Sequence, residues 1–134
     1  MSETSGYRIQ IKESHIDSYG HVNNATYLTL YEEARWELIT PRGYGFSEIH
    51  KLKQGPVILE VNLKFMKEIR LREYITITTE MMGTKGKISQ MRQRMIKDNG
   101  DVASEAIFTF GLFDMKERKL IEPTTEWKKA LGME

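Results

Sequence analysis

The chain contains no cysteine. Disulfides, thiolate metal ligands and thiol nucleophiles are thereby excluded together. Neither sign of charge dominates: 20 Lys and Arg against 19 Asp and Glu leave a net charge of +1. Binding to nucleic acid or an anionic membrane surface would call for a basic excess, so neither partner is expected. Long apolar runs are missing too. No segment approaches the ~18 consecutive apolar residues of a membrane span. The opening MSETSGYRIQIKES lacks the apolar stretch of a secretory signal. A cytoplasmic location is the expectation.

What is present is an ordinary globular balance, 40% hydrophobic and 29% charged. A chain of 134 residues is one domain's worth, and the reading is a single domain over 1–134. A chain this long buries roughly two-thirds of its unfolded surface, enough for a core without cross-links.

The period of the apolar residues sets the order of elements. YRIQIK (7–12) alternates and predicts a short strand. Residues 13–24 carry loop chemistry in Ser14, Asp17, Ser18, Gly20, Asn23 and Asn24. Tyr27, Tyr31, Ala34 and Leu38 then recur at helical spacing, with Asn24 as the expected N-cap and Pro41 and Gly43 as the stop. Residues 40–56 read as a long connection. After Pro56 the period changes to two, with Val57, Leu59, Val61, Leu63 and Phe65 on one face. Further strands are expected over 73–82, 87–97 and 102–112, joined by GTKG (83–86) and by Asn99-Gly100, a strong hairpin signal. TTEWKKAL near the end predicts a short helix. One long helix on a sheet of consecutive antiparallel strands is an α+β fold. One helix leaves sheet edges uncovered, so pairing of two chains through an edge is expected.

The residues before the long helix are the candidates for chemistry. Asp17 suits an Asx-turn; it equally suits a nucleophile or general base beside a positive helix end, whose free N–H groups form a carbonyl or oxyanion site. His21, four residues on, is either a base, a donor that orients ligand, or a structural imidazole. Only His15 and His50 remain as imidazoles, and neither has metal-ligand spacing, so no metal site is expected. Ser14 and Ser18 lack a nucleophile-elbow context. Glu32, Glu33, Arg35 and Glu37 read as a solvated helix face. Lys85, Lys87, Arg92, Arg94 and Lys97 read as a solvated strand face, or as cations for the phosphates of a large anionic leaving group.

These motifs together resemble a hotdog-fold thioesterase, of the 4-hydroxybenzoyl-CoA thioesterase family in its broad acyl-CoA branch. The resemblance rests on D-x-x-G-H-V-N-N-x-x-Y at Asp17, Gly20, His21, Val22, Asn23, Asn24 and Tyr27, and on EEAR at 32–35. It continues through VNLKFMKEIRLREYITITTEM (61–81), GKISQMRQRM (86–95) and DNG (98–100). It implies a long helix wrapped by an antiparallel sheet of about five strands, in a homodimer or homotetramer with sites at subunit interfaces. It implies hydrolysis of an acyl-CoA to a carboxylic acid and free CoA, without metal or cofactor. Asp17 would be nucleophile or general base, His21 an assisting residue, and the backbone N–H at Asn24 the carbonyl-polarising donor. Asn23 and Tyr27 would face substrate, and Lys85 and Lys87 the CoA phosphates. The HVNN form is also similar to plant acyl-carrier-protein thioesterases, with Tyr19 in place of their Asn and His21 retained. Two alternatives follow: an acyl-carrier-protein thioesterase, and a non-catalytic acyl-CoA binding module that needs the pocket without the carboxylate. The hydratase signature D-x-N-P-x-H fits less well, because His21 follows Asp17 by four positions and Asn-Pro is absent.

Overall fold

A computed structural model describes residues 4–133. The first strand, β1 (Thr4–Gln10), lies earlier than the 7–12 alternation suggests and ends before a 3-10 turn at Glu13–His15. The long helix α1 (Asn24–Ile39) buries Tyr27, Leu30, Tyr31, Ala34 and Ile39. Its cap is Asn23 rather than Asn24. Asn23 is extended (φ −62, ψ 140), and its side chain accepts the Ala25 N–H at 2.9 Å. Asn24 is therefore the first helical residue. Both asparagines are able caps, and only the backbone angle of the first decides between them.

Pro41 sits in a 3-10 turn (Thr40–Arg42) that prolongs α1, and Gly43, with φ 94, supplies the left-handed residue that ends it. The 40–56 segment is less of a loop than expected, since it contains a second helix, α2 (Phe46–Leu52). The sheet then follows as β2 (Gln54–Phe65), β3 (Tyr74–Lys85), β4 (Ile88–Lys97), β5 (Val102–Asp114) and a short β6 (Lys119–Ile121). The last helix, α3 (Thr125–Ala130), is capped by Thr124.

The sheet runs β1-β3-β4-β5-β2, antiparallel throughout, with β6 on β5. β3, β4 and β5 form the expected meander. β2 does not join it; it pairs with β5 at the opposite edge from β1, a contact between residues far apart in sequence. A register shift between Ile58 and Glu60 bulges β2 at Leu59. Ile58 pairs with Phe110, and Val61, Leu63 and Phe65 pair with Phe108, Ala106 and Ser104. Directly opposed residues share a face. The bulge thus replaces the expected set of Val57, Leu59 and Val61 with Ile58 and Val61.

α1 crosses the face formed by Ile75, Ile77 and Met81 of β3, Met91 and Met95 of β4, and Ala106 and Phe108 of β5, all buried. A polar seam runs through this contact. Tyr31 Oη donates to Ser104 Oγ at 2.7 Å, and Gln93 Nε2 donates to Tyr31 O at 3.1 Å and Thr79 Oγ1 at 3.0 Å. Burial pushes the Tyr31 phenol far above its ordinary value, so it acts only as a neutral hydroxyl. α1 leans toward β1 and β3, which leaves the inner face of β2 open: Phe65 is 54% and Ile58 42% exposed. No helix among the described residues is long and apolar enough to cross a membrane.

Candidate active site

The loop between β1 and α1 is pinned to the segment that leads into β3. Ile11 N–H donates to Glu73 O, Val22 N–H to Ile69 O, and Arg72 N–H to Ile11 O, at 2.8–3.0 Å. The loop closes on itself where Asp17 N–H donates to His21 O at 2.8 Å and Gly20 N–H to Asp17 O at 3.1 Å. Gly20, with φ 82, takes the left-handed conformation this tight turn requires.

Asp17 performs the Asx-turn with one oxygen only. Its Oδ1 accepts from Tyr19 N–H at 2.9 Å and from His21 N–H at 3.4 Å. Oδ2 has no hydrogen-bond partner among the described residues. Asp17 lines a cleft with His21, Asn24, Tyr27, Phe65, Met66, Lys67 and Glu68. The start of α1 forms one wall. Asn24 N–H, at the first helical position, has no acceptor among the described residues, as helix geometry leads one to expect. Asp17, with one carboxylate oxygen free, and Asn24, with its helix-start N–H free, thus line the same cleft.

The apolar side of the cleft is an edge-to-face pair, Tyr27 and Phe65, with ring centroids 4.9 Å apart. Burial raises the Tyr27 phenol, so it remains protonated and serves as wall rather than base. Asn23 turns its side chain to the first turn of α1 as a cap and is not among the residues that line the cleft.

Sequence reasoning missed Glu68. His21 Nε2 lies 2.7 Å from Glu68 Oε2. Glu68 is held in turn by Arg70, whose Nε donates to Oε1 at 2.8 Å. The hydrogen bond from Arg70 keeps the Glu68 carboxyl below the usual glutamate range. His21 is therefore oriented by a side-chain carboxylate from the segment after β2. KEIRLRE (67–73) looks like a solvated charged turn. The one available signal is that its carboxylate shortly follows the apolar run that ends at Phe65.

Lys85 and Lys87 are not brought to this cleft. They sit at the β3–β4 turn, beside a separate groove formed by Met82, Thr84 and Ile88. β3 begins next to the Asp17 loop and ends at Lys85, so roughly 35 Å of strand separates the two within one chain. The cation on the cleft wall is instead Lys67, 3.2 Å from Asp101. Among the described residues no group of three or more His, Asp or Glu side chains is placed to hold a metal ion.

Residues 11–131 match the model of the thioesterase-like superfamily. The chain belongs to that superfamily. It is accordingly a thioester hydrolase, and its helix and antiparallel sheet are the hotdog arrangement. Among curated relatives, the long-chain acyl-CoA thioesterase FadM of Escherichia coli is 29% identical over 126 residues, spanning 92% of this chain and 94% of FadM. The probable thioesterase YbaW of Escherichia coli superposes with a TM-score of 0.82 at 28% identity, covering 95% of this chain and 96% of YbaW. SAV2348 of Staphylococcus aureus, solved in complex with CoA, superposes with a TM-score of 0.88 over 97% of this chain and 82% of its own. Its 15% identity makes that a likeness of fold.

Proposed function

We propose that this superfamily member is an acyl-CoA thioesterase whose chemistry is carried by Asp17. The observation behind this reading is the pairing in one cleft of an Asp17 carboxylate with a free Oδ2 and the unpartnered N–H of Asn24. The likeness to FadM supports acyl-CoA as the substrate class.

The thioester carbonyl oxygen takes the Asn24 N–H, and the partial positive charge at the start of α1 favours the negative charge that develops there. Asp17 Oδ2 either attacks the carbonyl carbon, giving an acyl–Asp17 anhydride that water then hydrolyses to regenerate the carboxylate, or takes a proton from the water that attacks that carbon directly. The C–S bond breaks, CoA leaves as a thiolate and gains a proton, and the acid is released. A thiolate is a good leaving group, so a carboxylate and a preorganised dipole suffice. His21, steadied by Glu68, positions water or the acyl carbonyl. Tyr27 and Phe65 shield the reacting carbon. Lys67 is the cleft's candidate cation for a CoA phosphate, in the role the sequence suggested for Lys85 and Lys87.

The working form on this reading is at least a homodimer, in the cytoplasm. β2 is a sheet edge with its free side unpaired among the described residues, and Ile58, Leu59 and Val61 are exposed along it. Such an edge pairs readily with a second copy. Sedimentation at two or four times the 15.7 kDa chain mass is the expected result, and a monomer at working concentration would refute it.

Thiol release from a panel of acyl-CoAs tests the function. Saturable turnover of at least one of them is expected. Saturable binding with no release from any of them would make the chain a binding module.

A further inference from the structure

Arg35 reads in the sequence as part of a solvated helix face, yet α1 turns it inward. Its guanidinium carbon lies 4.4 Å from the centroid of the Phe108 ring, and Nη1 donates to Gln93 Oε1 at 3.0 Å. Gln93 is fully buried, and its amide nitrogen is committed to Tyr31 O and Thr79 Oγ1, so its oxygen is fixed toward Arg35. Burial pulls the Arg35 pKa down to about 10, opposed by the field of Glu32 one turn back. Among the described residues no carboxylate comes within ion-pair distance of Arg35, Glu32 included.

Arg35 is half-buried, and a cation partly withdrawn from water with no carboxylate beside it carries a desolvation cost. One neutral hydrogen bond and a stacked ring offset only part of that. A guanidinium also carries more N–H donors than the single bond to Gln93 uses. Those left over adjoin a pocket that Arg35 lines with Trp36, Ile58, Phe110, Trp127 and Leu131. Apart from Arg35 and Glu32 its walls are apolar. The cavity holds about 100 Å³, less than an apolar cavity of ~150 Å³ that accepts benzene. It suits a short alkyl group with a planar anion at its tip.

We propose that this pocket binds a carboxylate carried on a short alkyl chain. The guanidinium of Arg35 grips the carboxylate, and the aromatic and aliphatic walls take the alkyl part. The carboxylate is that of a short free acid, because Asn24 and Arg35 lie eleven residues apart on α1, about 16 Å along its axis, farther than a short acyl group held at Asn24 extends.

Both tryptophans of the chain line the pocket, so intrinsic fluorescence reports its occupancy. The full chain is titrated with propionate, and with 1-propanol as the uncharged control of equal length. A saturable change with propionate is expected, about tenfold or more tighter than with propanol, equivalent to ~1.4 kcal/mol. Arg35→Met should abolish that preference and leave the propanol response unchanged. Equal affinity for acid and alcohol, or no saturable response to propionate, would overturn the proposal. So would a folded Arg35→Met variant that binds propionate as wild type does. If Arg35→Met does not fold, the comparison of acid with alcohol in the wild type decides alone.

Discussion

The role given to the Asn24 N–H can be tested by deleting that one atom pair. Proline has no N–H, and the first position of a helix is where it fits best. The site is prepared for it. Asn23 has φ −62 and ψ 140, within the extended range that a residue preceding proline must adopt. The Asn24 N–H makes no hydrogen bond among the described residues, so Asn24→Pro breaks none of the folded structure. The cap from Asn23 to Ala25 N–H at 2.9 Å is untouched. Unfolding temperature should stay within about 2 °C of wild type, because the ordering cost of proline at a compatible site is small. Turnover should fall sharply, since the loss of a single oxyanion donor typically costs about 10²–10³ in kcat, or ~2.7–4 kcal/mol. Asn24→Ala is the companion: it keeps the N–H and removes only the side chain, and it should retain turnover within a few-fold. The assay is thiol release under saturating acyl-CoA, beside circular dichroism of both variants. A folded Asn24→Pro enzyme with wild-type kcat would refute the reasoning, because the carbonyl would then be polarised elsewhere.

Three further predictions concern the supports of the site. Asn23→Ala should lower stability by ~1 kcal/mol through loss of the cap, about 3 °C in unfolding temperature for a chain of this size, whereas the same change at Asn24 should not; thermal unfolding of the two variants checks this. Tyr31→Phe leaves the fully buried Ser104 hydroxyl without its partner and should cost about 1–3 kcal/mol, while Tyr31→Phe with Ser104→Ala should recover part of that; a denaturant double-mutant cycle measures the coupling. Arg70→Ala should raise the Glu68 titration midpoint toward the ordinary glutamate value, read by carboxyl NMR. The sign follows from a folded pKa lowered by Arg70: the contribution of the pair is present above the unfolded glutamate pKa and lost as pH falls through the lowered folded value.

Local signals made much of this molecule legible. The four- and three-residue spacing of Tyr27, Tyr31 and Ala34 marks α1, and Asn99-Gly100, where Gly100 has φ 94, marks the β4–β5 turn. The pairing of β2 with β5 is non-local, and no short-range pattern encodes it. The bulge at Leu59 also escaped notice, because alternating residues look alike on either side of a one-residue shift. Two adjacent asparagines concealed which one caps the helix. Arg35 shows the limit of reading a charge as solvated: a long side chain can carry its head group inward, onto Phe108 and Gln93, when the facing strands offer a ring and an amide.

The candidate site divides in the same way. Asp17, His21, Asn24 and Tyr27 are close in sequence and meet around one cleft. Glu68, Phe65 and Lys67 arrive from the end of β2 through the fold alone. Lys85 and Lys87 share a hairpin turn with each other but not the cleft, since β3 carries them to its far end.

The central claim is that the free oxygen of Asp17 performs the chemistry. Asp17→Asn keeps the Asx-turn acceptor, so Tyr19 and His21 N–H groups retain their partner and the loop keeps its shape. The decisive measurement is thiol release by Asp17→Asn beside wild type, over the same acyl-CoA panel, with circular dichroism and acyl-CoA binding of both. The account predicts a folded variant that still binds acyl-CoA and has lost turnover by about 10² or more. A folded variant with wild-type turnover would contradict it.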